Sequence, residues 1–230
     1  MLDDSPEVGE PKDGGENIPA TPEEPKEATP ERTVDTEIQT NIDLWKGLGV
    51  EVDPEEARAR IESIPEIEKL LSKRYAVIFI PRGIQASFIW QKMDERFQTY
   101  SESHDCDLDD ITSPRSNEEV SYAVAYRYRK EPDADTLGTR ARSVQDWENT
   151  GEAFMSPLER MVAELRWHQE KGTYLDENFT TKCPGSRAPD GRVPGLYYDP
   201  LHHAIRFDYS RVGYGSLDIL GVRRVIPSKS

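Results

Sequence analysis

From Cys183 to Ser228 the chain contains no Lys, Glu, Gln, Met or Trp, although these five types supply 49 of its 230 residues and about ten would fall in this stretch at their average frequency. What remains is rich in Gly, Tyr, Ser, Asp, Arg and Pro. Short apolar pieces interrupt it: Val193, Leu196, Ile205, Phe207, Leu217, Ile219-Leu220, Val222 and Val225-Ile226. That pattern suits short twisted strands joined by long turns. Its polar residues resemble those of a binding surface. Tyr197, Tyr198, Tyr209 and Tyr214 offer rigid, amphipathic contact area at small entropy cost, and Ser and Gly offer adaptable hydrogen bonding. Asp and Arg add charge of both signs, and Tyr and Arg are favoured interface anchors. The candidate ligand-binding residues are Tyr198, Asp199, His202, His203, Arg206, Asp208, Tyr209, Ser210, Arg211, Tyr214, Ser216 and Asp218. An enzyme needs a fixed constellation of groups. This segment reads instead as a broad recognition surface, and no enzymatic activity is expected.

The opposite end of the chain is acidic. Residues 1–37 hold 12 acidic and 3 basic side chains, six of the 17 prolines and no aromatic residue. Such a segment cannot bury enough apolar area to offset its ordering entropy. Residues 1–40 are therefore expected to be a disordered tail, followed by a helical segment at 41–73 and a main domain at 74–230. The formal charge of −15 and the lack of clustered Lys and Arg argue against nucleic acid. No run of about 18 apolar residues is present to span a membrane. Met-Leu-Asp-Asp opens the chain without an apolar stretch behind it, so no signal peptide is expected and a cytoplasmic setting fits.

Within 41–73, Asp53 can cap a helix that has Pro54 at its first position. Ala57, Ile61 and Ile64 then form one apolar stripe, continued by Ile67, Leu70 and Leu71. Tyr75–Ile80 is a continuous apolar run closed by Pro81, which predicts a buried strand. Ile84, Phe88, Ile89, Met93 and Phe97 show helical spacing. The stretch 100–118 reads as an acidic loop, and 119–129 fits strand or helix equally. The clearest helix is 157–170. Ser156 and Glu159 form a capping box, Pro157 suits the first position, and Gly172 provides the stop. Leu158, Met161, Val162 and Leu165 give it one core-facing side.

Reaction chemistry finds little to use. His202 and His203 are adjacent, and on a strand they would point to opposite faces. Asp105, Asp107, Asp109 and Asp110 resemble the start of a calcium loop, but its glycine and glutamate positions are occupied by Asp110 and Ser116. An irregular calcium site drawing on Glu118 or Glu119 is the alternative to a solvated loop. Cys106 and Cys183 are too few for a disulfide framework or a four-thiolate zinc site. No phosphate-binding or nucleophile-elbow motif occurs. Neither metal nor cofactor is expected.

The 183–228 segment resembles the variable region of proteins diversified by retroelements, the diversity-generating retroelement variable proteins. In that family, adenines in Asn-type codons are randomised, and the resulting codons cannot encode Lys, Glu, Gln, Met or Trp. Members commonly close with a Gly-hydrophobic-Arg motif on a last strand, and Gly221-Val222-Arg223 is similar. Cys183-Pro184-Gly185-Ser186-Arg187 and Asp190-Gly191-Arg192-Val193-Pro194 look like the lead-in seen in uncharacterised bacterial members. The resemblance implies an α+β, C-type-lectin-like domain of the type shared with formylglycine-generating enzymes: short twisted strands and one or two packed helices. It also implies a variable surface at 190–222 that binds a protein or other macromolecular ligand. The copper-dependent enzymes of that fold need a pair of cysteines near this end, where only Cys183 stands, so their activity is not implied. The alternatives are a hydrolase using carboxylates or His202, and an assembly protein acting through residues 1–73.

Overall fold

The computed structural model describes residues 31–101, 107–115, 117–133, 143–210 and 220–229. Thr33 opens the first helix, α1 (Val34–Gly47), in a reciprocal capping box with Thr36. Residues 34–40, placed in the tail by composition, are thus helical, and Glu37 and Ile38 are buried. The reason is a distant partner. The Glu37 carboxylate accepts from Arg166 at 2.7 and 2.9 Å, from Arg32 at 2.6 Å and from the Val77 amide at 2.7 Å. Residues 1–30 lie outside the described residues.

Two further helices follow, α2 (Pro54–Glu62) and α3 (Ile67–Leu71), and Asp53 caps α2 as its sequence predicts. The apolar run forms strand β1 (Tyr75–Ile80), followed by helix α4 (Ala86–Asp94), strand β2 (Gln98–Ser101) and a single 3-10 turn at Leu108–Asp110. The ambiguous 119–129 stretch is strand β3 (Tyr122–Arg127). Pairing decided it, because Ile78 opposite Val124 and Phe79 opposite Ala123 complete a buried ladder with β1. Then come helices α5 (Val144–Glu148) and α6 (Pro157–Lys171). The last strands are β4 (Thr180–Lys182), β5 (Val193–Asp199), β6 (Ala204–Ser210), β7 (Leu220–Val222) and β8 (Val225–Pro227). This is an α+β fold with two sheets, ordered β1-β3-β8 and β2-β6-β5-β4-β7. In the larger sheet β2–β6 and β4–β7 are parallel, and β4–β5 and β5–β6 are antiparallel. Glu31–Ser230 form one compact unit, so the helical segment at 41–73 belongs to the same body as residues 74–230.

Helix α1 closes the outer edge of the smaller sheet. Its residues Glu37, Asn41 and Trp45 recur every four positions and meet the unpaired backbone of β1. Asn41 donates to the Val77 carbonyl and accepts from the Phe79 amide, both at 2.9 Å, and the Trp45 indole donates to the Phe79 carbonyl at 2.8 Å. An open strand edge invites unwanted pairing. Here side chains of a helix satisfy it.

Helix α6 packs against both sheets and is buried on every side along most of its length. Its capping box and its αL glycine stop at Gly172 match the sequence reading, but its polar face does not reach water. Arg160 pairs with Glu164 at 2.8 Å and with Asp176, which also receives Arg223 at 2.6 Å. Burial would raise the Glu37 carboxyl, but Arg166, Arg32 and the Val77 amide outweigh it and hold the group below its ordinary value. For Glu164 burial prevails over Arg160, and its carboxyl is raised. Tyr126, fully buried between these networks, has its hydroxyl pushed up to about 12 by burial. Among the described residues no helix is long and apolar enough to cross a membrane.

Candidate functional site

The β5–β6 hairpin carries the candidate residues, and its register sorts them by face. Leu196 pairs with Phe207 and Tyr198 with Ile205, and all four are buried in the core shared with α4 and α6. Side chains alternate along a strand, so Tyr197, Asp199, Arg206, Asp208 and Ser210 share the other face. Strand β2 extends that face, because Tyr100 lies opposite Arg206. The Arg206 guanidinium sits 4.8 Å from the centre of the Tyr100 ring. At the far end of the sheet the face is covered: Trp147, Phe154 and Val222 form a small second core there. Its open part lies at the β2–β6 side.

The turn that joins the strands is braced from within. Asp199 accepts from the amides of Leu201 at 3.0 Å and His202 at 3.3 Å. The same carboxylate takes Arg206 Nε at 2.6 Å and the His202 Nδ1 at 2.7 Å. Desolvation would raise the Asp199 carboxyl, but the contact with the His202 ring and the amides of His202 and Leu201 hold it below its ordinary value. His203 adopts a left-handed conformation, φ 51°, and its Nδ1 lies 3.0 Å from the Tyr198 hydroxyl. His202 and His203 thus lie in a turn rather than on a strand, and each is bound to a different neighbour. Leu201 stands at the tip with 83% of its surface exposed.

Two of the expected contact residues face the wrong way for that role. Tyr198 is buried and stacks on Tyr174, with ring centres 4.0 Å apart and planes within 7°. Tyr209 shares the inner face and packs on Phe207, with Arg192 over its ring at 4.9 Å. Both are apolar-bodied side chains at inward register positions, so packing claims them. Asp208 lies on the open face but is tied to Lys182 at 2.8 Å, and a Cβ on Gly195 would come within 2.8 Å of both partners. Asp199, His202 and Arg206 come together in one cluster, with Ser210 on the same face. Arg211, Tyr214, Ser216 and Asp218 lie outside the described residues.

Tyr100 and Lys182 escaped the sequence reading. Both sit on short strands paired with segments distant in the chain, and no local pattern marks them. In the acidic loop the described carboxylates serve the local backbone. Asp107 caps the 3-10 turn through the Asp109 amide, and Asp109 accepts from Ser87. Asp105 lies outside the described residues, and among those described no group of three His, Cys, Asp or Glu side chains is placed to hold a metal. Cys183 is fully buried, and burial pushes its thiol far above the ordinary range, which disfavours the thiolate. Comparison with protein-family models, curated proteins and solved structures gives no match.

Proposed function

We propose that this chain is a recognition protein of the diversity-generating retroelement type, with a C-type-lectin-like scaffold displaying exchangeable contact residues on the β5–β6 hairpin. One observation carries the reading. In the segment free of Lys, Glu, Gln, Met and Trp, the hairpin register directs Tyr197, Asp199, Arg206, Asp208 and Ser210 to one face and keeps Leu196, Ile205 and Phe207 in the core. Apart from Val193 and Ala204, which are buried at outward register positions, contact chemistry is thereby set apart from scaffold chemistry along alternate positions of the same two strands. Arg223 supports it further. It is buried, donates to the carbonyls of Arg129 and Lys130 and to Asp176, and fixes the Gly221-Val222-Arg223 motif between β7 and β8.

In this reading Tyr197 buries apolar area on a protein or other macromolecular partner while Arg206 fixes its orientation. The bracing of the turn by Asp199 lowers the ordering cost of binding, since the tip is held before the partner arrives. The decisive experiment is to sequence the DNA around the coding region. A near-copy of the codons for 190–222, with adenines where the expressed copy encodes Tyr, His, Asp and Ser, is the expected result. Absence of any second copy across related strains overturns the assignment to this family.

A further inference from the structure

A cleft of about 570 Å³, lined by none of the hairpin residues, opens between the first turns of α4 and α6, next to the 3-10 turn. That volume falls within the range of small-molecule sites, roughly 300–1,000 Å³. Its walls are tied together by hydrogen bonds. The Asn117 side chain donates to the carbonyls of Pro81 and Ile84 at 2.9 Å, and the Asn117 carbonyl accepts from the Gly83 amide at 2.7 Å. Thr112 and Arg187 exchange backbone hydrogen bonds at 2.9 and 3.0 Å.

The charges around this cleft select the ligand. Three cationic features border it, and each already has a carboxylate. The α4 N-terminus has no cap from Gln85, and Asp109 takes the Ser87 amide there at 3.0 Å. The α6 N-terminus is closed by Ser156 and Glu159. Arg115 is held by Glu159 at 2.6 and 2.8 Å and by the Phe154 carbonyl at 2.5 Å. Among the described residues that line the cleft, an anion would find no cationic group without a carboxylate of its own. Asp110, by contrast, is exposed on the cleft wall, and its carboxylate has no partner among the described residues. Beside it Ile84, Leu108, Ile111 and Leu158 present a partly buried apolar wall.

From this arrangement we infer that the cleft binds a small organic cation, an amine or amidine carried on an apolar body. The body lies on the Ile84, Leu108, Ile111 and Leu158 wall, and the cationic head meets Asp110. This site is separate from the hairpin face, so its fate leaves the proposed recognition role untouched.

The test uses three probes of one shape on the full chain: benzamidine, benzamide and benzoate. Binding is followed by backbone amide shifts in NMR titrations. Benzamidine is expected to saturate, with shifts concentrated at Ile84, Leu108, Ile111 and Leu158. Benzamide should bind about threefold more weakly, the effect of one solvent-exposed charge contact, and benzoate more weakly still. Asp110→Asn, an exposed change that leaves the fold intact, should bring benzamidine to the level of benzamide and leave benzamide unchanged. The inference fails if no probe saturates at millimolar concentration, if benzoate binds as well as benzamidine, if the shifts map elsewhere, or if Asp110→Asn has no effect on benzamidine.

Discussion

Replacing Asn41 by Ala tests the seal between α1 and the edge of β1. The side chain is fully buried and makes three hydrogen bonds: it donates to the Glu37 and Val77 carbonyls and accepts from the Phe79 amide. The Val77 carbonyl keeps Arg166 as a donor. The Phe79 amide keeps nothing, in a residue 1% exposed. An orphaned buried donor costs about 1–3 kcal/mol, and the two lost hydrogen bonds together with a small void add about another 1–2 kcal/mol. The expected loss is about 3 kcal/mol, a large part of the roughly 5–15 kcal/mol that holds such a domain together. Urea unfolding should show the midpoint fall with an unchanged slope. Native-state hydrogen exchange should show the Phe79 amide as the most accelerated in β1. A control, Gln39→Ala on the exposed side of the same helix, removes only a contact to Asp43 and should cost about 0.3 kcal/mol. If Asn41→Ala costs no more than that control, or the Phe79 amide keeps its protection, the edge is not sealed by α1.

Three further outcomes rest on the buried charges and the open sheet face. Asp176→Ala leaves Arg223 without its carboxylate and Arg160 without one of its two, and equilibrium unfolding should show a loss of about 3–5 kcal/mol. Glu37 has a folded-state value below its ordinary 4.5, so its stabilisation is present above that pH and is lost as pH falls through the lowered value. The stability gap between the native chain and Glu37→Gln should therefore shrink between about pH 6 and pH 3, and a constant gap counts against the pairing with Arg166. Gly195→Ala pushes a methyl group into the Lys182–Asp208 pair and should cost about 1–2 kcal/mol in thermal or urea unfolding. Asp208→Ala in the same background should relieve part of that cost.

Much of the fold is written locally. The run Tyr75–Ile80, the Asp53-Pro54 start and the Ser156…Glu159 box each place an element by rules that involve near neighbours only. What the sequence hides are partnerships across the chain. Glu37 lies in an acidic, proline-rich neighbourhood, and only Arg166, 129 residues away, makes it a core residue. Arg160, Glu164 and Arg166 read as the wet side of an amphipathic helix until Asp176, Arg223 and Glu37 are brought against them. Strand β2 has four residues, and its alternation is invisible without β6 beside it. The hairpin was partly legible. Its short apolar pieces pointed to strands, but only the register tells Tyr197 and Arg206, on the outer face, from Tyr198 and Tyr209, which packing claims.

The central claim is that two strands carry a fixed inner face and an exchangeable outer one. A displayed library settles it, with Tyr197, Arg206 and Ser210 fully randomised in one pool and Leu196, Ile205 and Phe207 in another, each sorted for resistance to protease and then sequenced. The account predicts that surviving clones hold most residue types at the three outer positions and only apolar ones at the three inner positions. Equal restriction at both sets would contradict it, because the outer side chains would then be part of the scaffold they are held to decorate.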